Sequence, residues 1–189
     1  MAEPMSELAT FLARQVPLIA EDVVWNWQGV PAPLRRATYL TMEEPPLEMV
    51  TSVRAVVLRG PEVLVVREPT GERYVVPGGR REAGETIEAT VRREVLEETG
   101  WTLGAIEPLA VVHYRHTGPC PAGYPYPYPD FAQIIFLAEA TTFDPAAIIP
   151  DEWVAESALY PVSAAMDLVA ARPSDRLLLE AALARRQLR

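Results

Sequence analysis

Three glutamates, Glu94, Glu97 and Glu98, stand at i, i+3 and i+4. On a helix that spacing brings all three carboxylates to one face within a single turn. Like charges so placed oppose helix formation by roughly a few tenths of a kcal/mol per pair. Arg93 can relieve part of this by pairing with Glu97. A hard divalent cation relieves more of it: Mg²⁺, or Mn²⁺ in its place, takes oxygen ligands and tolerates carboxylates plus water. The plainer alternative is a solvated acidic face, since acids and arginines alternate on many surface helices.

The segment before the helix bears on that choice. Pro77-Gly78-Gly79 follows an apolar Tyr74-Val75-Val76 that reads as a short strand. Glycines let a backbone approach a ligand closely. Carbonyls of this turn could therefore reach a metal held by the helix. Arg80 and Arg81 lie in the connecting loop and Glu85 at the helix entrance. Strand, glycine turn, loop and acidic helix arrive in the order a metal–diphosphate site needs.

The helix itself reads over residues 86–99, with Gly100 as its C-terminal cap. Upstream, Val53-Arg54-Ala55-Val56-Val57-Leu58 and Val63-Leu64-Val65-Val66 flank Gly60-Pro61 and predict a hairpin. Downstream, residues 110–114 and 133–137 are strand-like. Residues 117–130 between them are rich in Pro and Tyr, with no helical pattern. Two helices split by Arg172-Pro173 close the chain, with Ser174 expected as the second one's N-cap. Mixed strands with helices before and after predict an α/β fold, helices lying on both faces of a mixed sheet.

The stretch at residues 79–101 resembles the Nudix box: G, five residues, E, seven residues, then R-E-U-x-E-E-x-G-U. Gly79, Glu85, Arg93, Glu94, Val95, Glu97, Glu98 and Gly100 stand at the matching positions, and Trp101 replaces the usual aliphatic residue. The resemblance implies an α/β/α sandwich and hydrolysis of a diphosphate linkage in a nucleoside diphosphate derivative. It implies metal ligation by Glu94, Glu97, Glu98 and the Gly79 carbonyl, orientation of the glutamates by Arg93, and support of the loop by Glu85. It leaves the general base open. Glu98 is the first candidate and Glu156, near an apparent last strand, the second. The competing reading is a non-catalytic nucleotide-sensing or interaction module on the same fold.

Residues outside the box must supply selectivity. Arg67 and Arg73 flank the turn before the glycines and could grip a phosphate in a fork. Tyr124, Tyr126 and Tyr128, alternating with prolines, could stack on a nucleobase, Tyr124 and Tyr126 foremost. The plain readings are a solvated hairpin tip and a loop packed by its own rings. His113 and His116 read as ordinary polar residues at a strand end.

Residues 1–49 read as an arm: one helix marked by Leu8, Phe11, Leu12 and Val16, then turns and a short strand near Val23-Val24-Trp25-Asn26-Trp27. Its apolar groups predict packing on the body, residues 50–189, or at a homodimer interface.

Bulk properties narrow the partners. The 189 residues carry a net charge of −9 and contain no lysine, so every side-chain phosphate clamp must be guanidinium. An acidic chain argues against nucleic acid and anionic membranes as partners, and points to a nucleotide-like small molecule. One cysteine, Cys120, and a Met1-Ala2-Glu3-Pro4 start without a basic, apolar leader make a cytoplasmic setting the expectation.

Overall fold

The computed structural model describes residues 6–150 and 153–188; Met1-Ala2-Glu3-Pro4, read above for a leader, lies outside the described residues. Nine strands form one mixed sheet with the order β1-β2-β7-β8-β3-β4-β5, while β6 pairs with β3 and β9 with β4. The strands are β1 (Pro17–Trp27), β2 (Val30–Leu40), β3 (Val50–Arg59), β4 (Glu62–Arg67), β5 (Arg73–Tyr74), β6 (Gly78–Arg80), β7 (Trp101–His116), β8 (Asp130–Phe143) and β9 (Glu156–Pro161). The helices are α1 (Glu7–Leu12), α2 (Ile87–Thr99), α3 (Val162–Leu168) and α4 (Pro173–Gln187). Among the described residues only β3 and β8 run parallel to each other; the other pairings are antiparallel.

Strand β3 shows why the sheet is covered on both faces. Successive side chains of a strand point to opposite sides. Val53, Ala55 and Val57 enter one core with Leu8 and Phe11 of α1 and Val91 and Val95 of α2. Val56 and Leu58 enter the other, with Ala165 of α3 and Leu178, Leu179 and Ala182 of α4. This is the α/β/α sandwich expected. Val91 and Val95 are fully buried, and each such side chain stabilises the docking of α2 by about 1.5–3 kcal/mol.

Helix α2 keeps the ends its sequence announces. The Thr86 side chain accepts the Ala89 N–H at 3.1 Å. Gly100 takes φ +74°, and its N–H reaches the Leu96 carbonyl at 2.8 Å.

Three expectations change. The arm is mostly β-structure: after the six-residue α1, β1 and β2 form an antiparallel hairpin of two 11-residue strands. Strand β2 then joins the sheet, pairing Leu34–Leu40 with residues 110–116 of β7. Pro31 and Pro33 disguise it in the sequence. Both lie before the β7 pairing begins at Leu34, where β2 is an edge and a missing N–H is tolerated. Next, the strand read at 74–76 ends at Tyr74, and Gly78-Gly79-Arg80 is itself a strand on β3. Finally, α4 is capped at Arg172 with Pro173 first in the helix, a position where proline's fixed φ suits a helix start. Ser174 lies two residues past the cap, and its hydroxyl donates to Glu21 at 2.8 Å.

Among the described residues no helix is long and apolar enough to cross a membrane.

Candidate active site

Arg93 organises the polar face of α2. A guanidinium carries five N–H donors, and all five are used. Nε and Nη2 grip the Glu85 carboxylate at 2.7 and 2.8 Å, and Nη2 also reaches the Arg80 carbonyl at 3.0 Å. Nη1 donates to Glu94 at 2.9 Å and Glu97 at 3.1 Å. Glu85 further accepts the Glu82 N–H and the Thr90 hydroxyl, each at 3.0 Å. The loop between β6 and α2 is thus tied to the helix through one carboxylate. The bonds from Arg93, with those from Glu82 and Thr90, hold the Glu85 carboxyl at about 2, below its usual 4.5.

The glycines of β6 let α2 come close. A Cβ on Gly79 would stand 2.3 Å from Glu94 Oε2, so only glycine lets the backbone abut that carboxylate. A Cβ on Gly78, where φ is +130°, would meet the Val53 carbonyl oxygen at 2.4 Å. The Gly78 N–H donates to Glu98 Oε2 at 2.8 Å. Burial pushes the Glu94 carboxyl up, as expected for acids crowded in a partly closed place.

These donors fit a hard divalent cation. Two carboxylates already bracket one positive group, Nη1 of Arg93, and the Gly79 backbone lies against one of them. With Arg93 between them, the acids do not yet form a closed cage: among the described residues no three His, Cys, Asp or Glu groups converge as a preformed metal site.

Glu94, Glu98, Gly78, Gly79 and Arg80 line one end of a cleft of about 1110 Å³. Its floor is a face of the sheet. One register row runs Thr38, Val112, Gln133, Ser52, Arg80 across five strands, and all five residues line the cleft. A neighbouring row runs Arg36, Tyr114, Phe131. The far wall is the β1–β2 hairpin with Trp25 and Trp27, joined by Tyr124 and Tyr126 from the loop before β8.

The residues read from sequence divide accordingly. Glu85, Arg93, Glu94, Glu97, Glu98 and Gly79 come together. Tyr124 and Tyr126 share the cleft with Glu94 and Glu98. Arg67 and Glu156 face each other in the β4–β9 register and form a 2.9 Å ion pair. That pairing lowers the Glu156 carboxyl and raises the Arg67 guanidinium. Arg67, Arg73 and Glu156 are not among the residues lining the cleft. His113 bonds Asp130 at 2.8 Å, and His116 is buried, with burial lowering its affinity for a proton.

Arg36, Arg54 and Arg172 line the cleft and were not read from the sequence as site residues. Arg36 on β2 donates to Glu21 at 2.7 Å and to Ser174 at 2.9 Å. Arg54 on β3 donates to the Val76 carbonyl at 3.1 Å. Its signal was available: a lone charge inside the apolar run 53–58, opposite Gly78.

Comparison with known proteins agrees with this geometry. The NUDIX domain profile matches residues 49–181. A 53-residue stretch is 45% identical to a Caenorhabditis elegans relative described as a nudix hydrolase, covering 26% of this chain and 14% of that protein's length. The solved NUDIX domain of Shewanella oneidensis NrtR, complexed with ADP ribose, is similar at a TM-score of 0.52 and 20% identity, over 75% of this chain and 89% of that one. A NUDIX hydrolase from Nitrosomonas europaea gives a TM-score of 0.50 at 24% identity, over 71% and 89% of the two chains. At these identities the two structures speak for the fold.

Proposed function

The chain belongs to the NUDIX family, its profile matching residues 49–181, and on that premise we propose that it hydrolyses a diphosphate linkage in a nucleoside diphosphate derivative with the help of Mg²⁺. The observation that carries this reading is the meeting, at one end of one cleft, of the α2 carboxylates, the Gly79 backbone and Arg54. Glu94, Glu97, Glu98 and the Gly79 carbonyl are the groups that would hold the cation. When bound, it would neutralise phosphate oxygens and acidify a water molecule.

The chain's own residues supply the rest. Arg93 fixes Glu94 and Glu97 at one nitrogen and anchors the loop through Glu85, so the ligands keep their positions as the cleft fills. Arg54 faces the substrate's phosphates, and its guanidinium can bind two oxygens at once. Glu98 stands against the Gly78 N–H and takes the proton of the attacking water on its carboxylate. Glu156 is already committed to Arg67. Tyr124 and Tyr126 contact the part of the substrate beyond the diphosphate.

The test is a panel of nucleotides and non-nucleotide diphosphate esters, assayed for bond cleavage with Mg²⁺, Mn²⁺ and chelator. Metal-dependent cleavage of at least one nucleoside diphosphate derivative is expected. Binding without turnover across the panel would replace the enzyme by a sensing module.

A further inference from the structure

The far wall of the cleft is built in part by a segment of the chain outside the family match. The hairpin ends at Leu40 and the match begins at residue 49. Trp25 and Trp27, two positions apart on β1, share one face of the strand. Trp25 is packed on Tyr114 and Phe131, with ring centroids 4.8 and 5.4 Å away. Trp27 is placed differently. Its ring meets Tyr124 at 5.1 Å and Tyr126 at 6.0 Å, edge to face, and those two meet each other at 5.3 Å.

This trio is not self-sufficient. Trp27 Nε1 and the Tyr124 hydroxyl are buried, and neither has a hydrogen-bond partner among the described residues. Buried indole N–H and phenol O–H groups ordinarily find one. Indole nitrogen can only donate. Burial and the neighbouring Tyr126 push the Tyr124 hydroxyl up to about 12, so it too keeps its proton. What is missing is a planar partner carrying acceptors.

The trio also lies within reach of the diphosphate end. Arg80, which follows Gly79, has its guanidinium carbon 5.3 Å from the Tyr126 ring centre. One arginine side chain therefore spans the distance from the glycine strand to the aromatic cluster, a gap that a ribose joining a phosphate to a base can bridge.

We propose that Trp27, Tyr124 and Tyr126 seat the heteroaromatic base of the substrate, with Trp27 and Tyr124 donating to ring-nitrogen or carbonyl acceptors on its edge. The rings part to admit the base, exchanging edge-to-face contacts with each other for stacking on the ligand. The N-terminal hairpin is then a specificity element of the active site. The proposal rests on the hydrolase reading for the diphosphate end of the substrate, and for the base end on the trio alone.

The experiment compares the full chain with Trp27→Leu and Tyr124→Phe, using ADP-ribose and the diphosphate diester of two riboses, which lacks the base. Trp27→Leu is expected to raise KM for ADP-ribose about tenfold, the worth of one stacking contact. It should leave kcat, and both constants for the base-free diester, nearly unchanged. Tyr124→Phe keeps the ring and removes one donor, so a smaller rise in KM for ADP-ribose alone is expected from it even where the leucine variant fails to fold. Equal losses on both diesters, or none on either, overturn the proposal. If the parent cleaves neither diester, the hydrolase reading is decided by the wider nucleotide panel, and calorimetric binding of AMP decides the base seat by itself. AMP binding weakened in the variants supports it; AMP binding that is unaltered, or absent from the parent, overturns it.

Discussion

Arg93, at one end of the cleft, has all five N–H groups bonded, whereas Trp27 and Tyr124, at the other, each keep a buried donor with no acceptor among the described residues. The acidic end is a closed polar network. On the proposals above, chemistry and base recognition occupy two ends of one cleft.

If the acidic end is the chemical end, its carboxylates should matter most to turnover. Glu97→Gln and Glu98→Gln are each expected to lower kcat at least ~100-fold while circular dichroism stays native, because on the proposed reading each removes a group that would hold the activating cation. Near-normal kcat in both, at saturating Mg²⁺, would break the comparison outright.

Gly79→Ala is a finer probe. Its Cβ would overlap Glu94 Oε2, the far end of a flexible side chain. The fold should survive and the carboxylate should shift, with a fall in kcat of about tenfold from misplacement alone. A variant with parental kcat would mean that the close approach of Gly79 and Glu94 is packing only.

The network should also show in stability. Arg93→Lys puts a single ammonium where a fork made five bonds. Urea denaturation should report a loss of about 1–3 kcal/mol. A loss within error would mean that the bonds at Glu85 add nothing to folding.

The smallest effect concerns acid. Glu85 titrates at about 2 in the folded chain against 4.5 ordinarily. Its ionised form therefore favours folding fully above about pH 4.5, and the contribution is lost as pH falls from there towards 2. The melting temperature of the parent should drop more steeply over that window than that of Glu85→Gln. Parallel profiles would remove Glu85 from the account of acid lability.

The two ends also differ in how far their sequence discloses them. The acidic end is contained in residues 78–98, so helical spacing, a capping glycine and the box motif were enough to find it. The core strands were equally plain, since β3 alternates between two apolar faces. The aromatic end joins Trp27 to Tyr124 through the register of β1, β2, β7 and β8, and no local pattern spans that separation. Trp27 could be read as apolar and Tyr124 as a candidate for stacking, but their meeting depends on a hairpin that Pro31 and Pro33 concealed. Arg67 and Arg73 drew attention by nearness along the chain. Arg54 and Arg36 reach the cleft because strand pairing, rather than proximity in sequence, decides which side chains share a face.

The attachment of β2 to β7 has a kinetic side. Leu34–Leu40 pair with residues 110–116, so a chain growing from its N-terminus must add some seventy residues before the inner edge of this hairpin finds its place. Until then the backbone groups along that edge and the apolar side chains of Leu34 and Ala37, both buried in the finished fold, stay unpaired and open to other strands. The edge of β2 beside the aromatic end of the cleft is therefore completed only after β3, β4 and α2 have been made.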